Sequence, residues 1–179
     1  MIMRRILLLL ALGGCASAGT PEETTARGPA IYQSKETGIL VGEPAHPTVM
    51  TIAAPPTAVW LAIKKAHDAF LIPVTVENPP AHQIGNSSFF KTRMLAGQPM
   101  TTFVNCGSGM NGPKAATYRI YMSLLTVLTT EPTGATTVQT TFVPVGQDMS
   151  GGSSDRIPCG TTGRFERLFL DQVKAMIVK

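Results

Sequence analysis

The chain has no apolar run long enough to cross a bilayer. Its longest, residues 6–12, holds seven residues. As a helix it would rise only about 10 Å, against the roughly 30 Å of a hydrocarbon core. Charge is also scarce: Asp, Glu, Lys and Arg are 15% of residues, and the formal net charge is +4. Such a thin, unclustered positive charge excludes an electrostatic case for nucleic acid. The three histidines, His46, His67 and His82, are scattered, and no H-E-x-x-H occurs. The helical zinc-hydrolase pattern is therefore missing. No G-x-S-x-G is present, so there is no nucleophile elbow. His67 and Asp68 are neighbours whose side chains diverge by about 100° on a helix. The carboxylates that paired acid chemistry would need fall mostly in turns and helix ends. These absences lead to the expectation of no catalysis, no metal and no cofactor.

What is present is concentrated at the start. Arg4-Arg5 precedes the apolar run, which ends in Leu12-Gly13-Gly14-Cys15. A charged segment, a short apolar segment and small residues form the order of a secretory signal peptide. The ending resembles the lipobox of bacterial lipoproteins. That resemblance implies cleavage after residue 14, diacylation of Cys15 and anchoring to a membrane through the acyl chains. Ala16 follows the cysteine instead of aspartate, which by the same resemblance points to the periplasmic side of the outer membrane. Residues 1–14 carry two arginines and no acid, so the mature charge falls to +2.

Two cysteines remain, Cys106 and Cys159. An even pair in an oxidising compartment reads most economically as a disulfide. It closes a loop of roughly 54 residues, worth about 4 kcal/mol by chain entropy. The competing reading, two metal ligands, lacks any C-x-x-C or paired histidine beside them.

Residues 15–45 read as a lipidated N-terminus and a tether rich in Gly, Pro, Thr and Glu, with one apolar patch at Ile39-Leu40-Val41. Residues 46–179 suit one α+β domain with a single core. A strand near residues 49–53 leads to a helix at Pro55-Pro56, since proline suits a first turn. Val59, Ile63, Ala66 and Phe70 make one helical face. Strands follow near residues 72–77, 82–95 and 100–105, then a Gly-rich loop, then a long pair at 116–130 and 136–145. Ile120, Met122 and Leu124 alternate onto one face. A polar loop precedes a last helix from about 162 to 177, with Phe165, Leu168, Phe169, Val173, Met176 and Ile177 as its stripe.

The order β-α-β-β-β-β-β-α is best met by one antiparallel sheet of five to six strands with both helices on one face. This arrangement resembles helix-grip domains. Val59-Trp60, Ile72-Pro73-Val74 and Gly85, over residues 56–95 and together with the lipobox, resemble the BamC-type accessory lipoproteins of the β-barrel assembly machinery. That resemblance implies an outer-membrane or periplasmic protein partner. The chain departs from it in having one such domain and a cysteine pair.

Three local features remain. Gly107-Ser108-Gly109-Met110-Asn111-Gly112 spells G-x-G-x-x-G, but a strand is expected next where a dinucleotide site needs a helix. Thr161, Thr162, Gly163 and Arg164 stand at the start of the last helix, where free N–H groups can bind an anion. The competing reading is a tight entry pinned by the disulfide, with Thr162 as N-cap. Met94, Met122 and Phe142 are candidates to line a cavity under that helix for a small apolar ligand; the alternative is that they fill the core. The leading expectation is a lipid-anchored adaptor without catalysis, and the runner-up is that apolar-ligand binder.

Overall fold

The structure, a computed structural model, describes residues 46–150 and 155–177. The signal segment, Cys15 and the Ile39-Leu40-Val41 patch lie outside the described residues.

β1 (Thr48–Ile52) is followed by α1 (Pro56–Ala69) and then β2 (Val76–Asn78) and β3 (Gln83–Thr92). A two-residue pair, β4 (Met94–Leu95) with β5 (Gln98–Pro99), makes a small hairpin. After β6 (Val104–Asn105) comes a second hairpin, β7 (Ser108–Gly109) with β8 (Gly112–Pro113). A single turn of helix, α2 (Lys114–Thr117), leads into β9 (Arg119–Thr130) and β10 (Thr136–Gln147). β11 (Arg156–Pro158), β12 (Gly160–Thr161) and α3 (Arg164–Ile177) complete the described chain. The main sheet is antiparallel, ordered β1-β10-β9-β3-β2, with β11 paired to β10. It is the α+β architecture expected from the hydrophobic pattern.

Each element follows from its residues. The Pro55-Pro56 pair presets the backbone at the start of α1, and Val59, Ile63 and Ala66 are fully buried on the stripe. Leu71, left-handed at φ 54°, ends the helix before Pro73. β9 and β10 pair without interruption from Arg119–Gln147 to Thr130–Thr136, joined by a turn at Gly134. Ile120, Met122 and Leu124 face the core as their alternation predicts. β3 carries a bulge between Asn86 and Phe89. Asn86 closes it from inside, donating to the Pro73 carbonyl and accepting from the Ser88 N–H. Gly85 lies against β9 so closely that a Cβ would run into the Leu124 carbonyl oxygen.

Phe165 is the hub of the core. It packs against Phe142 at 4.9 Å, Phe103 at 5.5 Å and Phe70 at 5.7 Å between ring centroids. Phe169 meets His67 at 5.1 Å and Phe70 at 6.1 Å, which locks α3 to α1. Both helices therefore share the face of the sheet that bears Leu124 and Phe142.

Three expectations require correction. Residues 100–105 do not form a sheet strand. Met100–Thr102 is a 3-10 turn, and only Val104–Asn105 pairs, with β12. Met100 and Phe103 are both buried, and a three-residue turn puts them on one side, where a strand would have split them. The polar loop before α3 is shorter than expected, because Arg156–Pro158 extends the sheet beside β10. Third, α3 is rotated from its expected stripe. Glu166 and Leu170 are buried, while Leu168, Met176 and Ile177 lie at the edge of the core.

Candidate functional site

Four places carry the chemistry: the entry to α3, the buried His67, and two surface clefts.

At the entry to α3, Cys159 is bonded to Cys106. Gly146 of β10 makes room for the bond; a Cβ there would stand 3.1 Å from the Cys159 sulfur and 3.4 Å from that of Cys106. β12 then pairs with β6, Thr162 N–H donates to the Phe103 carbonyl at 2.9 Å, and the Thr162 hydroxyl donates to the Thr102 carbonyl at 2.9 Å. The Thr161 hydroxyl donates to the Glu166 carboxylate at 2.7 Å and accepts from Gly163 N–H at 3.0 Å. Thr162 Oγ1 also accepts from Arg164 N–H at 3.4 Å.

This geometry corrects the anion-site expectation at Thr161, Thr162, Gly163 and Arg164. The donors of Gly163 and Arg164 are engaged by the chain's own hydroxyls. A carboxylate, that of Glu166, already sits beside the helix start. Burial pushes the Glu166 carboxyl above its ordinary value, and the Thr161 hydrogen bond offsets part of that rise. The site is a knot of internal satisfaction, and its acid is 1% exposed.

His67 is the second buried titratable group. Its Nδ1 lies 3.2 Å from the Ile72 carbonyl, so Nδ1 carries the proton and donates. Among the described residues Nε2 is buried without a partner. Burial pulls its pKa down, while the Ile72 carbonyl and the nearby Asp68 oppose that shift. The imidazole stands edge-on to Phe169 and serves the helix–helix contact.

Met94, Met122 and Phe142 do not converge. Met122 and Phe142 are fully buried in the core, whereas Met94 is 48% exposed. The space beneath α3 is taken by Phe103, Phe142 and Phe165, so the expected ligand cavity is filled by side chains. Met94 instead lines a surface cleft of about 340 Å³ with Phe70, Leu71, Lys91 and Leu95. The G-x-G-x-x-G segment forms the β7–β8 hairpin, with Met110 fully exposed at its tip. The four-residue α2 that follows is too short to present a phosphate-binding N-terminus.

The second cleft, of about 450 Å³, is the more apolar. Pro56, Thr57, Trp60 and Leu61 of α1 form one wall, with Pro79, His82 and Leu128 opposite. Leu61 is 60% exposed. A polar rim borders Trp60: Lys64 pairs with Glu77 at 3.0 Å and holds that carboxyl below its ordinary value, with a smaller contribution from Trp60. The sequence held one sign of this cleft, since Trp60 and Leu61 stand off the buried stripe of α1. Among the described residues no helix is long and apolar enough to cross a membrane.

Comparison of the chain with family models, with curated proteins and with solved structures finds no match.

Proposed function

We propose that this protein is a lipid-anchored adaptor of the periplasmic side of the outer membrane, without catalytic activity, that receives a protein partner in the Trp60 cleft. The observation that carries the reading is the order Arg4-Arg5, apolar run, Leu12-Gly13-Gly14-Cys15 ahead of a single small domain. The described domain adds support of a different kind. Its two buried titratable groups, His67 and Glu166, are committed to packing and to internal hydrogen bonds. The more apolar of the two clefts described is open and lined by Trp60, Leu61 and two prolines, a composition suited to a protein surface. The resemblance of residues 56–95 to BamC-type lipoproteins favours a partner in outer-membrane assembly. The alternative, a small apolar ligand under α3, loses support because aromatic rings occupy that space.

Two measurements test the proposal. Cys15→Ala is expected to leave an uncut precursor that no longer fractionates as a lipoprotein; normal cutting and membrane retention would reject the anchor. A photo-crosslinking residue at Leu61 is expected to give a discrete adduct in cells that the same probe at Lys174 does not. Identical patterns at both positions would reject the cleft as the partner surface.

A further inference from the structure

One edge of the main sheet is bare. β2 pairs with β3 only over Gln83–Gly85. From Phe89 to Thr92, β3 has β9 on one side and, among the described residues, no strand on the other. Large apolar side chains stand out around this edge. Phe90, on the strand itself, is 55% exposed. Leu71, just past the end of α1, is 77% exposed and lines one cleft with Met94 and Lys91. Leu71 and Arg93 both hold left-handed backbone, at φ 54° and 63°, where glycine or asparagine fits more easily. Single exposed apolar residues are ordinary on a protein surface. Three around one bare edge mark a contact surface.

Cations interleave with these side chains. Arg119, opposite Thr92 on β9, holds its guanidinium 5.1 Å from the centre of the Phe90 ring. Its Nε is buried with no hydrogen-bond partner among the described residues. Lys91 Nζ donates to the Leu71 carbonyl at 3.4 Å, and Arg93 is exposed. Residues 78–130 contain no Asp or Glu. Asp68, exposed one turn before Leu71, opposes three cations. Asp148 accepts from the Ser150 N–H at 2.9 Å and interacts with Lys114.

We propose that this edge is a membrane-contact surface for anionic phospholipid. Leu71, Phe90 and Met94 enter the interfacial layer, and Lys91, Arg93 and Arg119 meet the lipid phosphates. The apolar side chains come singly from three elements and alternate with long basic ones, whose stems lie along apolar matter while their heads stay with phosphate. A bilayer interface accepts that scatter, whereas a protein partner is better met by a concave apolar site such as the Trp60 cleft. The bare strand sets the depth: its open N–H and C=O groups stay at headgroup level, because hydrocarbon would leave them unsatisfied. The inference rests on neither the acyl anchor nor the Trp60 cleft.

The test uses the full chain with vesicles of equal parts phosphatidylglycerol and phosphatidylcholine carrying brominated acyl chains, and with brominated phosphatidylcholine alone. Phe90→Trp adds a reporter, and the parent chain supplies the Trp60 background; Met94→Trp is the second reporter should the first not fold. Emission from residue 90 is expected to be quenched in the anionic vesicles and recovered by salt. Leu61→Trp, ten residues earlier than Leu71 and about 15 Å away along α1, is expected to stay unquenched. Lys91→Gln with Arg93→Gln should weaken insertion about 30-fold without moving the thermal midpoint. Association with neutral vesicles reports the anchor, and quenching at residue 90 reports this edge, so the two readings fail separately. No quenching at residue 90, equal quenching at residue 61, or quenching indifferent to lipid charge would each overturn the proposal. A discrete protein adduct from a photo-crosslinker at residue 90 in cells, without quenching, would also overturn it and assign the edge to an acidic protein.

Discussion

The two helices that close the core begin in opposite ways. α1 starts from Pro55 in an extended conformation, with Pro56 in its first turn and no side-chain cap. Its entry is fixed by backbone restriction within two residues. α3 starts from ties to distant chain: a disulfide to Cys106, a two-residue ladder with β6, and Thr162 bonded to Phe103 and Thr102. A helix can therefore be started from within or held from outside, and only the first kind is written in adjacent residues.

The contrast breaks most sharply where the helices meet. Phe169 touches both His67 of α1 and Phe70, the residue just after it. Phe169→Ala is expected to cost about 3–5 kcal/mol, read by denaturant unfolding. A loss under about 1 kcal/mol would mean that the two helices are held to the sheet independently.

Next comes the external tie. Replacing Cys106 and Cys159 together by alanine is expected to cost about 2–5 kcal/mol. Amide exchange should then accelerate in the first turn of α3 while the first turn of α1 stays near its original rate. Equal acceleration at both would make the disulfide a global staple instead of a helix anchor.

Thr161→Val sharpens the comparison further. It leaves the buried Glu166 carboxyl without its hydroxyl donor and is expected to cost about 1–3 kcal/mol. Thr57→Val, exposed in the first turn of α1, should change stability by less than about 0.5 kcal/mol.

The smallest effect is a pH dependence with two opposed limbs. The pKa of His67 is lowered from 6.5 in the folded state, so the unfolded chain binds more protons there. Stability from this group is complete above pH 6.5 and is lost as pH falls. The pKa of Glu166 is raised from 4.5, so its contribution is complete below pH 4.5 and is lost as pH rises. His67→Asn, which retains a donor for the Ile72 carbonyl, should remove the first limb and leave the second. An unchanged profile would show that His67 is not the titrating group.

Legibility followed the same divide. α1, the β9–β10 hairpin and the one-sided packing of both helices could be read, because period and turn residues lie close together along the chain. Met100–Thr102 misled because a short apolar stretch suits a strand or a 3-10 turn equally, and burial of both Met100 and Phe103 decides between them. Glu166 stands in the first turn of α3, where the helix dipole favours any acid and gives no sign of burial. Its burial depends on Thr161 and on a rotation of α3 that brings Leu170 inward, which periodicity over one helix does not register. The pairing of β6 with β12 joins residues more than fifty positions apart in two-residue pieces, too short for any pattern. Met94 failed as a cavity residue because β4 leaves the main sheet after Thr92 and turns it outward.

The position of β1 has a consequence for the order in which the molecule forms. Thr48 pairs with Thr140, so the first strand of the domain has nothing to bind until the hairpin partner near the other end exists. α3, which fills the core with Phe165 and Phe169, comes later still. A chain made from its N-terminus must keep its opening two-thirds without a closed core while synthesis continues, and the slow step in folding becomes the search between remote segments. Until β10 is complete, the edges of β9 and β1 stay unpaired and their apolar sides uncovered.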